Sequence, residues 1–172
     1  MKRLHLLPYV ILCFHPLIGG PAEDLAASLQ VRKDAIALLR QGKLPESKQR
    51  LATARPAGTP APAHDLAVGR QWVTIAFHFH ARGEWPLARQ AAAEALAVAT
   101  TAAHTPGISS ERAALLSNAG LICERLLRDL PRAKTFYEAA LAAQPASQHA
   151  KELQRVADER IKQRATGKKA GA

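Results

Sequence analysis

Aromatic residues make up only 5% of this 172-residue sequence, which also contains just two cysteines and one methionine. β-Branched residues are sparse and do not alternate with polar ones, so the sequence gives no indication of a β-sheet. It has no glycine-rich phosphate loop, no nucleophile elbow and no zinc-type cysteine spacing. Carboxylates are few and scattered, which disfavours a hydrolase that works with a pair of them. We therefore expect a protein that is not an enzyme and that needs no cofactor and no metal.

Alanine and leucine supply most of the hydrophobic content, which is 48% of the chain. Alanine has the highest intrinsic helix propensity, and its small side chain lets two helices approach closely. The length suits one domain with a hydrophobic core and is short for two. The composition therefore predicts an all-α fold built from closely packed helices.

The first 22 residues are typical of a signal peptide. Lys2 and Arg3 are followed by a mostly apolar stretch over residues 4–18 and then by small residues up to Ala22. The apolar stretch is short for a membrane span and is interrupted by two prolines. We expect cleavage after Ala22 and a periplasmic or secreted bacterial protein; a membrane anchor formed by an uncleaved segment is the alternative.

Two sets of side chains that often form reactive or metal sites are not expected to do so here. Cys123 would be the only cysteine left after cleavage, and we expect it to be a small apolar core residue. His78 and His80 form a His-x-His pair. Residues two positions apart on a helix point about 200° away from each other, so the two imidazoles would not converge on one ion.

The formal net charge is +10, and the clearest concentration of basic residues lies at the C-terminus. We interpret residues 165–172 as a flexible basic tail; steering of the protein towards an acidic partner is the alternative. A nucleic-acid partner is disfavoured, because the basic residues are not interleaved with exposed aromatics and no nucleic-acid-binding module is evident.

Internal repetition is the strongest signal, and three segments share one pattern: residues 28–57, 69–102 and 112–145. The first two superpose without a gap, so that Gly42 matches Gly83 and Pro45 matches Pro86. The third matches through its second half, with one extra residue between its helices and no glycine counterpart of Gly83. A helix that ends at glycine, followed by a proline in the first turn of the next helix, predicts a helical hairpin in each segment.

The second segment resembles a tetratricopeptide repeat, because its large and small residues occupy that motif's positions: Trp72, Ala76, Phe79, Gly83, Ala88 and Ala95. The third segment matches this family at Gly120, Ala133, Tyr137, Ala140 and Pro145. The first departs from it at Ser47, where the family prefers alanine. The resemblance implies stacked antiparallel helical hairpins that form a right-handed α-solenoid over residues 23–146. An amphipathic segment over 147–164 is predicted to be a helix that caps the stack.

The resemblance also implies a function, because the first helices of stacked hairpins line a concave groove that holds peptides or partner helices. We expect a scaffold or adaptor that contacts a partner protein through ten residues: Arg32, Ile36, Arg40, Arg70, Val73, Phe77, His80, Asn118, Leu121 and Arg125. The arginines favour a partner with an acidic feature or a C-terminal carboxylate. Arg32 and Asn118 resemble parts of the carboxylate clamp of some family members, although Ile36 stands where that clamp has a polar residue. A structural or self-associating repeat protein, and hence a homo-oligomer with no separate peptide ligand, is the alternative.

Overall fold

The computed structural model describes residues 22–54, 61–104 and 109–169, and every element in these ranges is helical. The all-α class predicted from the composition is therefore confirmed. The signal-peptide interpretation falls almost entirely on residues 1–21, which lie outside the described residues. The described part of the chain forms seven α-helices and one π-helical segment: α1 Ala22–Arg40, α2 Leu44–Thr53, α3 Ala61–Ala81, α4 Trp85–Ala103, α5 Ser109–Leu121, the π-helix Ile122–Leu127, α6 Leu130–Ala143 and α7 Gln148–Lys169.

Consecutive helices pair as hairpins. Helix α1 packs on α2, α3 on α4, and α5 with its π-helical continuation on α6. The first helices of the hairpins also contact one another, α1 with α3 and α3 with α5, so that neighbouring hairpins lie side by side. Helix α7 packs on α6 and also contacts α5, which places it against the third hairpin.

Glycine ends the first helix of two hairpins, as predicted. Gly42 and Gly83 have φ angles of 75° and 73°, in the left-handed region where a Cβ is strained. Apart from each glycine and its two chain neighbours, no atom of the described residues lies within 4 Å of the place that a Cβ would take. The backbone conformation, and not a lack of space, therefore requires glycine. A proline in the first turn of the following helix completes the predicted turn in all three hairpins.

The π-helical segment accommodates the extra residue of the third repeat. In the first two hairpins, the amide after the turn glycine donates to a carbonyl five positions earlier, Lys43 to Leu38 and Glu84 to Phe79. In the third hairpin the equivalent amide, of Asp129, donates over 2.8 Å to a carbonyl six positions earlier, that of Cys123. Because a π-helical turn holds one residue more than an α-helical turn, the insertion is absorbed before α6 begins.

Arg128 occupies the position of the turn glycine in the third hairpin. Its φ angle is 60°, the one positive value at a non-glycine residue in the described ranges. A left-handed conformation costs an L-residue about 1–2 kcal/mol. The third repeat has no glycine at this position, so its pattern does not predict a left-handed residue here.

Replacing Arg128 with glycine is expected to stabilise the fold by about 0.5–1 kcal/mol, because the Cβ strain is removed while some freedom is added to the unfolded chain. Urea unfolding of Arg128→Gly measures the change. Gly83→Val, at the equivalent turn of the second hairpin, is a control with the opposite expected effect, a loss of stability of about 1–2 kcal/mol. A loss of stability in Arg128→Gly would show that the arginine side chain makes contacts that outweigh its backbone strain.

The residues predicted to fill the core are buried. The large ones are at most 2% exposed: Leu51, Trp72, Phe79 and Tyr137. The small ones, which allow paired helices to approach closely, are at most 1% exposed: Ala88, Ala95, Ala133 and Ala140. Cys123 is buried as expected, and this burial raises the pKa of its thiol to about 11. The thiol is therefore protonated at neutral pH, as suits a core residue.

The first hairpin departs from the repeat pattern at Ser47 without leaving a polar group unsatisfied. Ser47 is fully buried, and its hydroxyl donates over 2.9 Å to the carbonyl of Ala35 in the paired helix. A buried hydroxyl without such a partner would cost about 1–3 kcal/mol. Helix α2 is also joined to α4 by an ion pair of 2.8 Å between Lys48 and Glu94.

Helix α7 is longer than the capping helix predicted over residues 147–164. It begins at Gln148 and ends at Lys169, so it includes residues 165–169, which the sequence analysis assigned to a flexible tail. Lysine, arginine and alanine favour helix, and the single Gly167 costs only about 1 kcal/mol, which does not end the helix. None of the described helices combines the length and the hydropathy that a membrane span requires.

Candidate binding surface

The ten residues predicted to contact a partner lie on the first helices of the three hairpins. Their spacing of three or four positions places each set on one face of its helix. Nine of the ten keep accessible surface. Interactions link the three sets. Arg32 of α1 hydrogen-bonds Gln71 of α3, and the charge of Arg125 lowers the pKa of His80 in α3. We call the nine accessible residues the first-helix row: Arg32, Ile36, Arg40, Arg70, Phe77, His80, Asn118, Leu121 and Arg125.

Val73 is the exception, because it is 6% exposed and belongs to the hydrophobic core. Val73 therefore has little accessible surface to offer a partner in this structure. Helix α3 packs against α4 and also contacts α1 and α5 on its flanks. The middle helix therefore offers a narrower free face than the sequence periodicity suggested, and Val73 falls outside it.

Two of the four arginines in the row are engaged within the chain. Arg32 is half-buried and donates its Nε–H to the Gln71 amide oxygen. Arg40 donates to both carboxylate oxygens of Glu84, over 2.8 and 3.2 Å, and its guanidinium lies 5.4 Å from the centre of the Phe79 ring. These contacts tie the first hairpin to the second. The other two, Arg70 and Arg125, have no carboxylate within 4.0 Å among the residues that the structure describes.

The apolar members of the row are Ile36, Phe77 and Leu121, and each is half-buried. Ile36 and Phe77 pack against the core on one side and keep accessible surface on the other. Half-buried apolar side chains are held in place by the core, so they offer a partner contact area at a small entropic cost. Asn118 lies beside them on α5 and is also half-buried.

At the C-terminal end of α3 the structure assembles a second cluster. Trp85, the first residue of α4, is 49% exposed, and its ring centre lies 4.6 Å from that of His80 in an edge-to-face arrangement. Burial lowers the pKa of His80, and the charges of Arg128 and Arg125 lower this pKa further. The imidazole is therefore uncharged at neutral pH. The π-helix, which carries Arg125 and ends just before Arg128, contacts both α3 and α4, the helices that carry His80 and Trp85. An exposed aromatic ring, a neutral imidazole and two guanidinium groups thus lie on elements that pack against one another.

Neither the models of known protein families nor the curated proteins match this chain. The function is therefore inferred from the geometry and chemistry of the residues themselves.

Glu124 is a site residue that sequence reasoning missed. It is 6% exposed, accepts a hydrogen bond of 2.9 Å from the Tyr137 hydroxyl, and is paired with Arg160 of α7. Burial raises the pKa of Tyr137, and the Glu124 carboxylate raises it further, so the phenol stays protonated as the donor. The one signal in the sequence was the extra residue of the third repeat, which produces the π-helix that carries Glu124. This contact attaches α7 to the third hairpin.

Two surface cavities lie outside the first-helix row. One, of about 440 Å³, is bordered by Glu124, Arg128, Leu130, Arg160 and Gln163. The other, of about 310 Å³, lies between α4 and the start of α6. In the described ranges, no group of three histidine, cysteine, aspartate or glutamate side chains is placed to hold a metal ion.

Proposed function

We propose that this protein is a non-catalytic scaffold that binds a segment of another protein along the first-helix row. The observation that carries the proposal is the accessibility of three apolar side chains on three successive first helices: Ile36, Phe77 and Leu121. Aligned apolar side chains on adjacent helices suit the apolar face of a helix or alternate side chains of an extended peptide.

The charge of the row favours an acidic partner. Arg70 and Arg125 lie on the same helical segments as the apolar side chains and have no carboxylate within 4.0 Å among the described residues. The whole chain carries a formal net charge of +10. Complementary charge speeds the encounter of two proteins and selects between partners, while the apolar contacts supply most of the affinity.

A tetratricopeptide-type arrangement is part of this proposal. Its support is the recurrence of left-handed Gly42 and Gly83, the prolines that follow them, and the buried small and large residues of the pattern. In such a right-handed α-solenoid the first helices line the concave side. We also propose that residues 1–22 direct export, so that the protein acts in a bacterial periplasm or outside the cell.

Affinity capture from the protein's own cells tests the proposal by comparing wild type with Phe77→Glu. The variant places a carboxylate in the apolar middle of the row, and we expect it to lose a partner that the wild type retains. Phe77 is only half-buried, so the variant should remain folded, which thermal melting checks. Ala142→Glu is the matched control, because it adds the same charge at an exposed position on α6.

Equal capture by the wild type and both variants would place the binding surface elsewhere. An empty capture, together with a dimeric mass in solution that Phe77→Glu converts to a monomer, would replace the proposal with self-association through the row.

A further inference from the structure

The cluster at the C-terminal end of α3 combines an aromatic ring, an imidazole and two guanidinium groups. We call it the turn patch and define it as His80, Trp85, Arg125 and Arg128. Two of its members, Trp85 and Arg128, were not among the residues predicted from the sequence to contact a partner. Both stand at turns between paired helices, at the edge of the first-helix row.

Trp85 is the most exposed large hydrophobic residue that the structure describes, at 49%. Its equivalent in the first hairpin is Leu44, which is half-buried and packs against the core. An exposed tryptophan held edge-on against a half-buried imidazole is an ordered apolar surface. Tryptophan in this state is enriched among the residues that dominate the energy of protein interfaces.

Arg128 adopts a left-handed backbone conformation that is unfavourable for a residue with a side chain. The equivalent positions of the other two hairpins carry glycine, which adopts the same left-handed backbone without strain. A strained non-glycine residue at such a turn points to a role for its side chain. Arg128 is exposed, so that role concerns the surface.

The acidic residues nearest to the turn patch are already engaged. Glu84 is bound by Arg40 and Arg82, and Asp129 accepts the backbone N–H of Arg132 at the start of α6. Glu124 is buried against Tyr137 and paired with α7. No described carboxylate lies within 4.0 Å of Arg125 or Arg128. Neither guanidinium group therefore forms an ion pair within the described part of the chain, although Arg128 borders the same cavity as the engaged carboxylate of Glu124.

We propose that the turn patch is a docking site for a carboxylate-rich segment of a partner protein, with Arg125 and Arg128 binding its Asp or Glu side chains and Trp85 contacting an adjacent apolar residue. This inference rests on the proposed scaffold function and specifies the chemistry of the partner. A guanidinium donates two parallel hydrogen bonds to one carboxylate, which gives direction as well as charge. Two arginines beside an aromatic ring thus select a segment in which acidic residues flank an apolar one.

The test uses a fluorescein-labelled peptide of alternating glutamate and leucine residues, followed by fluorescence anisotropy at low ionic strength. We expect Arg128→Gly to weaken binding by roughly fivefold and Arg125→Gln/Arg128→Gly by more than about tenfold, because each removes a charge-assisted contact. Arg128→Gly is expected to be at least as stable as the wild type. Its loss of binding would therefore not be an effect of unfolding.

A matched double variant, Lys33→Gln/Lys151→Gln, removes the same number of charges at exposed positions on α1 and α7, outside the turn patch. It should change the affinity by less than about twofold, since distant surface charges are screened. A blue shift of Trp85 emission on binding, absent in Trp85→Phe, would place the peptide on the patch. Equal weakening in both double variants, or no Trp85 shift, would overturn the proposal in favour of non-specific attraction to a basic chain.

Two further probes separate other ligand classes: phosphatidylglycerol vesicles and a single-stranded oligonucleotide. If either probe binds more tightly than the peptide and this binding depends on the turn patch, the ligand is an anionic membrane surface or a nucleic acid and not an acidic protein segment.

The turn-patch proposal and the scaffold proposal can fail separately. A partner lost by Phe77→Glu but retained by Arg125→Gln/Arg128→Gly would uphold the first-helix row and exclude the turn patch.

Discussion

Trp72→Ala is expected to lower the free energy of unfolding by about 3–5 kcal/mol, the largest effect of any single substitution that we predict. Trp72 is 2% exposed in α3, the helix that contacts the hairpins on both of its sides. Its removal leaves a cavity in the core, and the cost of a cavity adds to the lost burial of the ring. Urea unfolding followed by circular dichroism measures the change.

Trp85→Ala is the matched control for this prediction, because the same atoms are removed at a site that is 49% exposed. We expect it to cost less than about 1 kcal/mol. A similar loss in both variants would show that Trp72 is not a core residue and that the hairpins are packed in a different register.

Gly120→Ala is expected to destabilise the protein by about 2 kcal/mol. A Cβ at Gly120 would overlap the ring of Tyr137, which is fully buried and is fixed by its hydrogen bond to Glu124. Relief requires the ring or its helix to shift, and overpacking of this kind costs about 1–3 kcal/mol. That loss outweighs the gain of up to about 1 kcal/mol that alanine brings to a helix interior. Thermal or urea unfolding reports the net change.

Gly69→Ala provides a graded comparison, since its Cβ would lie 2.9 Å from methyl carbons of Leu115 and Val98, a smaller overlap than the one with the Tyr137 ring at Gly120. We therefore expect Gly69→Ala to cost less stability than Gly120→Ala. The cause at Gly120 can be isolated by a double-mutant cycle with Tyr137→Leu, in which the cost of Gly120→Ala should fall by at least about 1 kcal/mol. An unchanged cost in the Tyr137→Leu background would exclude the ring as its origin.

The hairpins were predictable because their signals are local. Gly83 must take a left-handed conformation to end α3, and Pro86 fits only the first turn of the helix that follows. Trp72 and Ala95 were identifiable as core residues because their positions recur with the helical period in neighbouring segments. These features depend on a few adjacent residues, so a pattern read from the sequence finds them.

The features that were missed arise from contacts between distant segments. The sequence indicated one extra residue in the third repeat, but a pattern does not show that a π-helix absorbs it and buries Glu124 against Tyr137. Arg128 gave no signal because arginine rarely adopts a left-handed backbone. The burial of Val73 was not predicted, because the helical period locates a face, whereas exposure depends on how the neighbouring helices flank α3.

Site-specific photo-crosslinking in the native cells tests the central claim most directly. A benzophenone side chain replaces Phe77 in one chain and Ala142 in another, and the adducts are identified by mass spectrometry. Binding along the first-helix row predicts a discrete heterologous adduct from position 77 and none from position 142, with acidic residues of the partner near the crosslinked peptide. The same adducts from both positions, or an adduct from position 142 alone, would contradict binding along the row.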